Sequence, residues 1–274
     1  MRSLLPLALL PALAGCWPYL PGTWDDYYVP DDIQILGRMM RFEYVGSDLE
    51  DMAPATNIDA FWFQEPASDL SPIHLFATRP GECTTASFSW DLFLDRAGDP
   101  GAPRMLLSGP GGGIEIPWIA SAKVFEGDLT EGDYALGAHY ALAELDGDDG
   151  DLEIDDFAIA PGPLDFGGLD TVGGAASVQD MRLSWDWDGS RDDVDWVILQ
   201  VYAMRNGTIL EAVTCSAPIE DQGIIVPTDL WTTTPDYWQI NRGTARVSKR
   251  RIGDTETSSA MLFARLEISL LDVE

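Results

Sequence analysis

Histidine and lysine are nearly missing from this chain of 274 residues: only His74 and His139, and only Lys123 and Lys249, occur. Two histidines give no H-x-x-x-H or H-E-x-x-H pair, and three cysteines give no C-x-x-C, so no zinc site can be built from a local motif. No G-x-S-x-G turn is present, which removes one route to a serine hydrolase. No apolar run after Ala14 approaches the ~20 residues that a bilayer span needs. The glycine-rich run at 108–113 lacks a lysine and leads into a strand pattern ending at Pro117. It therefore reads as a hairpin loop, not a phosphate cradle. Cationic charge is scarce as well. Sixteen Lys and Arg face 46 Asp and Glu, a formal net charge of -30. That balance weighs against nucleic acid and against docking on anionic lipid, and it suits solubility and self-repulsion at a crowded surface.

What is present begins at the N-terminus. Met1-Arg2-Ser3 precedes an entirely apolar stretch from Leu4 to Ala14. A positive start, a short apolar run and small residues at its end describe an export signal. Pro6 and Pro11 argue against a buried helix there. Leu13-Ala14-Gly15-Cys16 then resembles the lipobox of bacterial lipoproteins. The resemblance implies a diacylglyceryl group on the Cys16 thiol, cleavage before that cysteine and acylation of its new amine, and it covers residues 1–16 only. Two or three acyl chains anchor firmly where one is marginal. Trp17 stands where Asp marks inner-membrane retention in that class, which leans toward the outer membrane. The expected order is a signal peptide (1–15), then a lipidated cysteine with a tether rich in Pro, aromatic residues and Asp (16–32).

Beyond the tether the punctuation is that of strands. Apolar or alternating segments of strand length recur at 39–45, 59–64, 73–78, 87–94, 104–107, 113–117 and 134–145, then at 180–187, 194–204, 209–215, 223–227, 237–247 and 260–270. One short helix is expected near 117–125. Arg205-Asn206-Gly207 reads as a hairpin turn. A Pro/Gly-rich gap at 160–174 suggests a boundary near residue 163. Phe88-Ser89-Trp90-Asp91 with the 113–118 strand, and Leu183-Ser184-Trp185-Asp186 with the 223–228 strand, form a weak repeat across it. The expected fold is all-β: two antiparallel β-sandwich domains, 33–162 and 163–274. The second resembles immunoglobulin-like or fibronectin-like sandwiches in architecture.

The candidate chemistry is sparse. With Cys16 lipidated, Cys83 and Cys215 remain, and two readings stay open: a disulfide joining the halves, or two separately buried thiols. Residues 144–156 crowd eight carboxylates into one loop. Asp146, Asp148, Asp149, Asp151 and Glu153 are its candidate calcium ligands, although the spacing fails the EF-hand pattern. A solvated acidic connector is the competing reading. His74 and His139 sit in strand-like segments and read as surface or satisfied residues, either of which could pair with a distant Ser or Asp. The expectation is a non-catalytic, lipid-anchored cell-envelope protein that binds another envelope protein or a polysaccharide through β-sandwich domains. The alternatives are a carboxylate-based envelope glycan hydrolase, which needs two inward carboxylates in a cleft, and a calcium-stabilised adhesin.

Overall fold

The computed structural model describes residues 32–46, 48–68, 81–85, 91–147, 150–167, 170–171, 181–189, 194–252 and 257–272. The expected signal, Cys16 and the tether up to residue 31 lie outside these, as do His74 and Trp90. The strands are β1 (Asp32–Tyr44), β2 (Ala55–Ala67), β3 (Cys83–Thr84), β4 (Arg104–Gly109), β5 (Gly112–Ile119), β6 (Val124–Leu129), β7 (His139–Gly147), β8 (Gly150–Asp151), β9 (Ile154–Ile159), β10 (Asp170–Thr171), β11 (Met181–Ser184), β12 (Trp196–Arg205), β13 (Thr208–Pro218), β14 (Gly223–Val226), β15 (Tyr237–Arg251) and β16 (Thr257–Asp272).

The all-β expectation holds, and two parts of it are corrected. First, the main sheet is mixed: β1 runs parallel to β16 from Asp32↔Thr257 to Tyr44↔Ile268 and antiparallel to β2. Second, one thirteen-stranded sheet, ordered β3-β13-β12-β15-β16-β1-β2-β6-β5-β4-β7-β8 with β9 on β7, takes strands from both sides of residue 163. These are not two separate antiparallel sandwiches. A parallel neighbour is reached only through a long crossover, here most of the chain, and no local pattern records it. The helix expected near 117–125 is instead strand, turn and strand. Trp118 and Ile119 of β5 pair with Phe125 and Val124 of β6, and Lys123 turns at φ 51°. Within the expected strand at 87–94, the described part, Asp91–Leu94, is a single helical turn. It sets the fully buried Phe93 ring 5.5 Å from that of Phe61.

Three apolar cores hold the layers. β5 changes partner midway: residues 112–117 pair with β4 and the next two with β6. This brings β4, β5, β7 and β9 over β1, β2 and β16 around Met39, Ile58, Tyr140, Phe157 and Phe263. On the same face a small sheet, β10-β11-β14, covers β12, β13 and β15 around Trp185, Leu199, Cys215, Trp231 and Trp238. The Pro/Gly-rich segment lies across β15 between these cores. The Thr244 hydroxyl donates to the Gly162 carbonyl at 2.9 Å, and the Arg242 guanidinium lies over the Phe166 ring at 5.5 Å. The opposite face carries a third core, with Leu36, Phe61, Phe63, Trp196, Val247 and Leu262.

Cys83 and Cys215 form a disulfide between β3 and β13, deciding the alternative the sequence left open. The Asn-Gly turn is present: Asn206 and Gly207 both have positive φ, 50° and 74°, the backbone of a tight hairpin that follows strand twist. Nearby, Glu211 of β13 accepts hydrogen bonds from the Thr232 and Thr233 backbone amides and from the Thr232 hydroxyl. The Thr232 hydroxyl bond, with the other donors, pulls its carboxyl down to about 2. The stabilisation this gives is therefore complete above the ordinary Glu value near ~4.3 and is lost as pH falls toward 2. Amide exchange at Thr232 and Thr233 should stay protected at pH 5 and open below pH 3, whereas Glu211→Gln should show weaker protection at both.

Candidate functional site

The third core fills only the half of its face nearest the start of β1. Toward the other end the same face becomes polar. Arg38 of β1, Asn57 and Asp59 of β2, Gln200 and Tyr202 of β12 and Asn241 of β15 all point into a cavity of about 760 Å³. Met40, Phe42 and Ile119 supply its apolar surface, and Glu126 and Asp128 of β6 stand at its rim. β12 and β6 are separated by four strands in the sheet order, yet both line the cavity, so the sheet curls into a trough. The local cause is alternation. On β12 Val197, Leu199, Val201 and Ala203 are fully buried on one face, which sends Gln200 and Tyr202 to the other.

One side of the trough is held rigid. Asn241, 4% exposed, donates to the Gln200 carbonyl oxygen at 3.2 Å and accepts from the Gln239 amide at 3.1 Å. Arg38 donates to Asp59 at 3.4 Å. Burial works against both charges: it lowers the Arg38 value and raises that of Asp59, to which Glu126 and Asp128 add repulsion. Burial also raises the Tyr202 phenol, so the hydroxyl stays neutral and can both donate and accept. Among the described residues, the side chains of Tyr202, Asn57, Glu126 and Asp128 make no hydrogen bond or ion pair. Their polar groups are open to a ligand.

Sequence reading missed this site. Its signal was present as polar residues on strands that are otherwise apolar, with Arg38, Asn57 and Asp59, Gln200 and Tyr202, and Asn241 each on one face of its strand. Only the sheet order shows that these faces coincide. Of the residues singled out earlier, His139 does pair with an Asp: its Nδ1 lies 2.6 Å from Asp156 Oδ1, and Arg250 donates to the same carboxylate at 3.2 Å. This trio is exposed. The imidazole and the guanidinium both hold Asp156 below its ordinary carboxylate range. The side chains of Asp146, Asp148, Asp149 and Asp151 lie outside the described residues, and Glu153 is exposed. Among the described residues no group of three His, Cys, Asp or Glu is placed to hold a metal ion.

A second ionic cluster caps the first core. Arg41, 3% exposed, makes a two-pronged pair with Glu131 at 2.8 and 2.9 Å, donates to Thr56 at 3.2 Å and lies 4.3 Å from the Tyr134 ring centroid. Arg265 pairs with Glu43 at 2.5 Å. Every charge here has a partner, so the cluster closes the core end. Glu131→Ala strips the main counterion from a buried guanidinium. Because Glu131 itself is exposed, the expected cost is screened to about 1 kcal/mol, to be read as a lower urea midpoint with an unchanged slope.

Among the described residues no helix is long and apolar enough to cross a membrane. Compared with known protein families and with curated proteins, the sequence matches none.

Proposed function

We propose that this chain is a lipid-anchored protein of the bacterial cell envelope, held through Cys16, that acts by binding a ligand in the trough without turning it over. The observation that carries the reading is the trough itself: a cavity of about 760 Å³, within the roughly 300–1,000 Å³ range of ligand clefts, with a fixed amide ladder on one wall. Position supports it too. The tether enters at Asp32, whereas Phe42 lines the trough some 30 Å along β1 at ~3.3 Å per residue. An anchored molecule would thus hold the trough away from its attachment point. The lipobox-like residues support the lipid anchor, and the absence of Asp after Cys16 favours the outer membrane. The proposal keeps two units, as two sandwich-like stacks that share one sheet, and the two separate apolar cores support it.

A hydrolase is the second reading, favoured by one observation: Asp59 is raised by burial beside Glu126 and Asp128 in a concave site. The Arg38 contact argues against it, because the guanidinium favours a charged Asp59 over a proton donor.

Two measurements test the proposal. Labelled palmitate should enter the protein and be lost in Cys16→Ser, which should leave the membrane fraction. Amide resonances of the full chain, titrated with the envelope polysaccharide fraction, should shift around Asn57, Gln200, Tyr202 and Asn241. Shifts confined to another face would contradict the trough as the binding site.

A further inference from the structure

Resting on that reading of the trough as a ligand site, we propose that it is built for saccharide: one or two uncharged pyranose rings of a glycan. A pyranose ring has hydroxyls along its edge, each needing a donor, an acceptor or both, and C–H faces that need a flat apolar surface. The trough offers both kinds of surface.

The polar wall comes from three strands. Asn57, Gln200 and Asn241 are side-chain amides, each with donors and acceptors, and Tyr202 adds a hydroxyl that does both. Their directions are partly set in advance. The Gln200 carbonyl is already occupied by Asn241, which leaves the Gln200 NH₂ as the outward donor. Asn241 is fixed in turn by Gln239. A wall fixed before binding loses less side-chain entropy when the ligand arrives. The apolar surface comes from Met40 and Phe42 on the neighbouring strand, where a sugar C–H face can lie.

Charge narrows the class further. Asp59, Glu126 and Asp128 outnumber Arg38 in the lining, and the whole chain carries -30. Uronic, sialic and phosphorylated sugars would meet a repulsive field on approach. The amides and the phenol favour no charge of either sign, so the hydrogen-bonding wall selects a neutral ring.

The test is isothermal titration of the full chain, in detergent, with maltose, cellobiose and N,N′-diacetylchitobiose. The cationic chitosan dimer and digalacturonate serve as charged comparisons. At least one neutral disaccharide should bind saturably, with affinity unchanged by salt. Digalacturonate should not bind. Tyr202→Phe keeps the ring and its packing, so the fold is not at stake, and it should weaken binding about tenfold. Asn241→Ala should do at least as much, with its melting curve checked alongside. If only the chitosan dimer binds, and its binding collapses in high salt, the saccharide inference fails while the trough remains a ligand site for cations. If no disaccharide binds, the inference also fails, and the resonance shifts with envelope polysaccharide decide separately whether the trough binds anything.

Discussion

Gly243→Ala should leave little or no folded protein. Gly243 sits in the middle of β15 opposite Leu266 of β16. A Cβ added there would lie 1.8 Å from the Arg265 carbonyl oxygen, 2.7 Å from its carbonyl carbon and 2.9 Å from the Leu266 Cα. All three are backbone atoms, so no side-chain rotation can relieve the overlap and the two strands would have to part. β15 and β16 are interior strands of the main sheet, and Asn241 of the trough is two residues away on β15. Glycine inside a strand marks such a close backbone approach. The expected penalty exceeds about 4 kcal/mol, a large part of the ~5–15 kcal/mol that holds an ordinary domain together. Gly113→Ala is the matched control, since its Cβ would meet only the Leu106 Cδ1 at 3.4 Å. It should change stability by less than about 1 kcal/mol. Soluble yield and a circular dichroism melt separate the two. A Gly243→Ala protein that melts like the parent would refute the β15–β16 approach and, with it, the way the sheet curls into the trough.

Reducing the Cys83–Cys215 disulfide, or replacing both cysteines with serine, should lower stability by roughly 4–5 kcal/mol. The bond spans a sequence separation of 132 residues, and a cross-link restricts the unfolded chain more as the closed loop lengthens. For a chain of this size that corresponds to a fall of about 10 °C or more in the melting temperature. The bond also holds β3 along Thr214 and Cys215, covering part of the sheet edge at β13. Exposed edges invite pairing with other chains, so the reduced protein should also aggregate at lower concentration. Equal melting of the oxidised and reduced proteins would contradict the bond's role.

Most strands were legible in the sequence, because alternation and turn chemistry are local. The segments at 104–107, 113–117, 194–204, 209–215, 223–227, 237–247 and 260–270 each fall on an observed strand, and Asn206-Gly207 makes its turn. What was not legible is how the strands associate. β1 is buried on both faces, so its alternation is faint, and only the later part, from Met39, stood out. Its parallel partner β16 lies at the far end of the chain. The Pro/Gly-rich gap at 160–174 looked like a boundary because such residues often mark linkers. Its described part crosses β15, fixed by Thr244. The apolar segment near 117–125 looked helical because Trp118, Ile119, Val124 and Phe125 are all apolar, yet a tight turn at Lys123 makes them cross-strand partners. The trough was hidden for the same reason as the sheet order: its polar residues come from five strands spread from Arg38 to Asn241.

The central claim is that the trough holds a ligand and leaves it intact. The most direct measurement is to equilibrate the full chain with envelope polysaccharide, record the bound fraction, and recover the glycan after prolonged incubation for size analysis. Saturable binding with the glycan at its original length, weakened by Tyr202→Phe, is the predicted result. Shortened fragments whose release stops in Asp59→Asn or Glu126→Gln would contradict it and make the trough a hydrolase cleft.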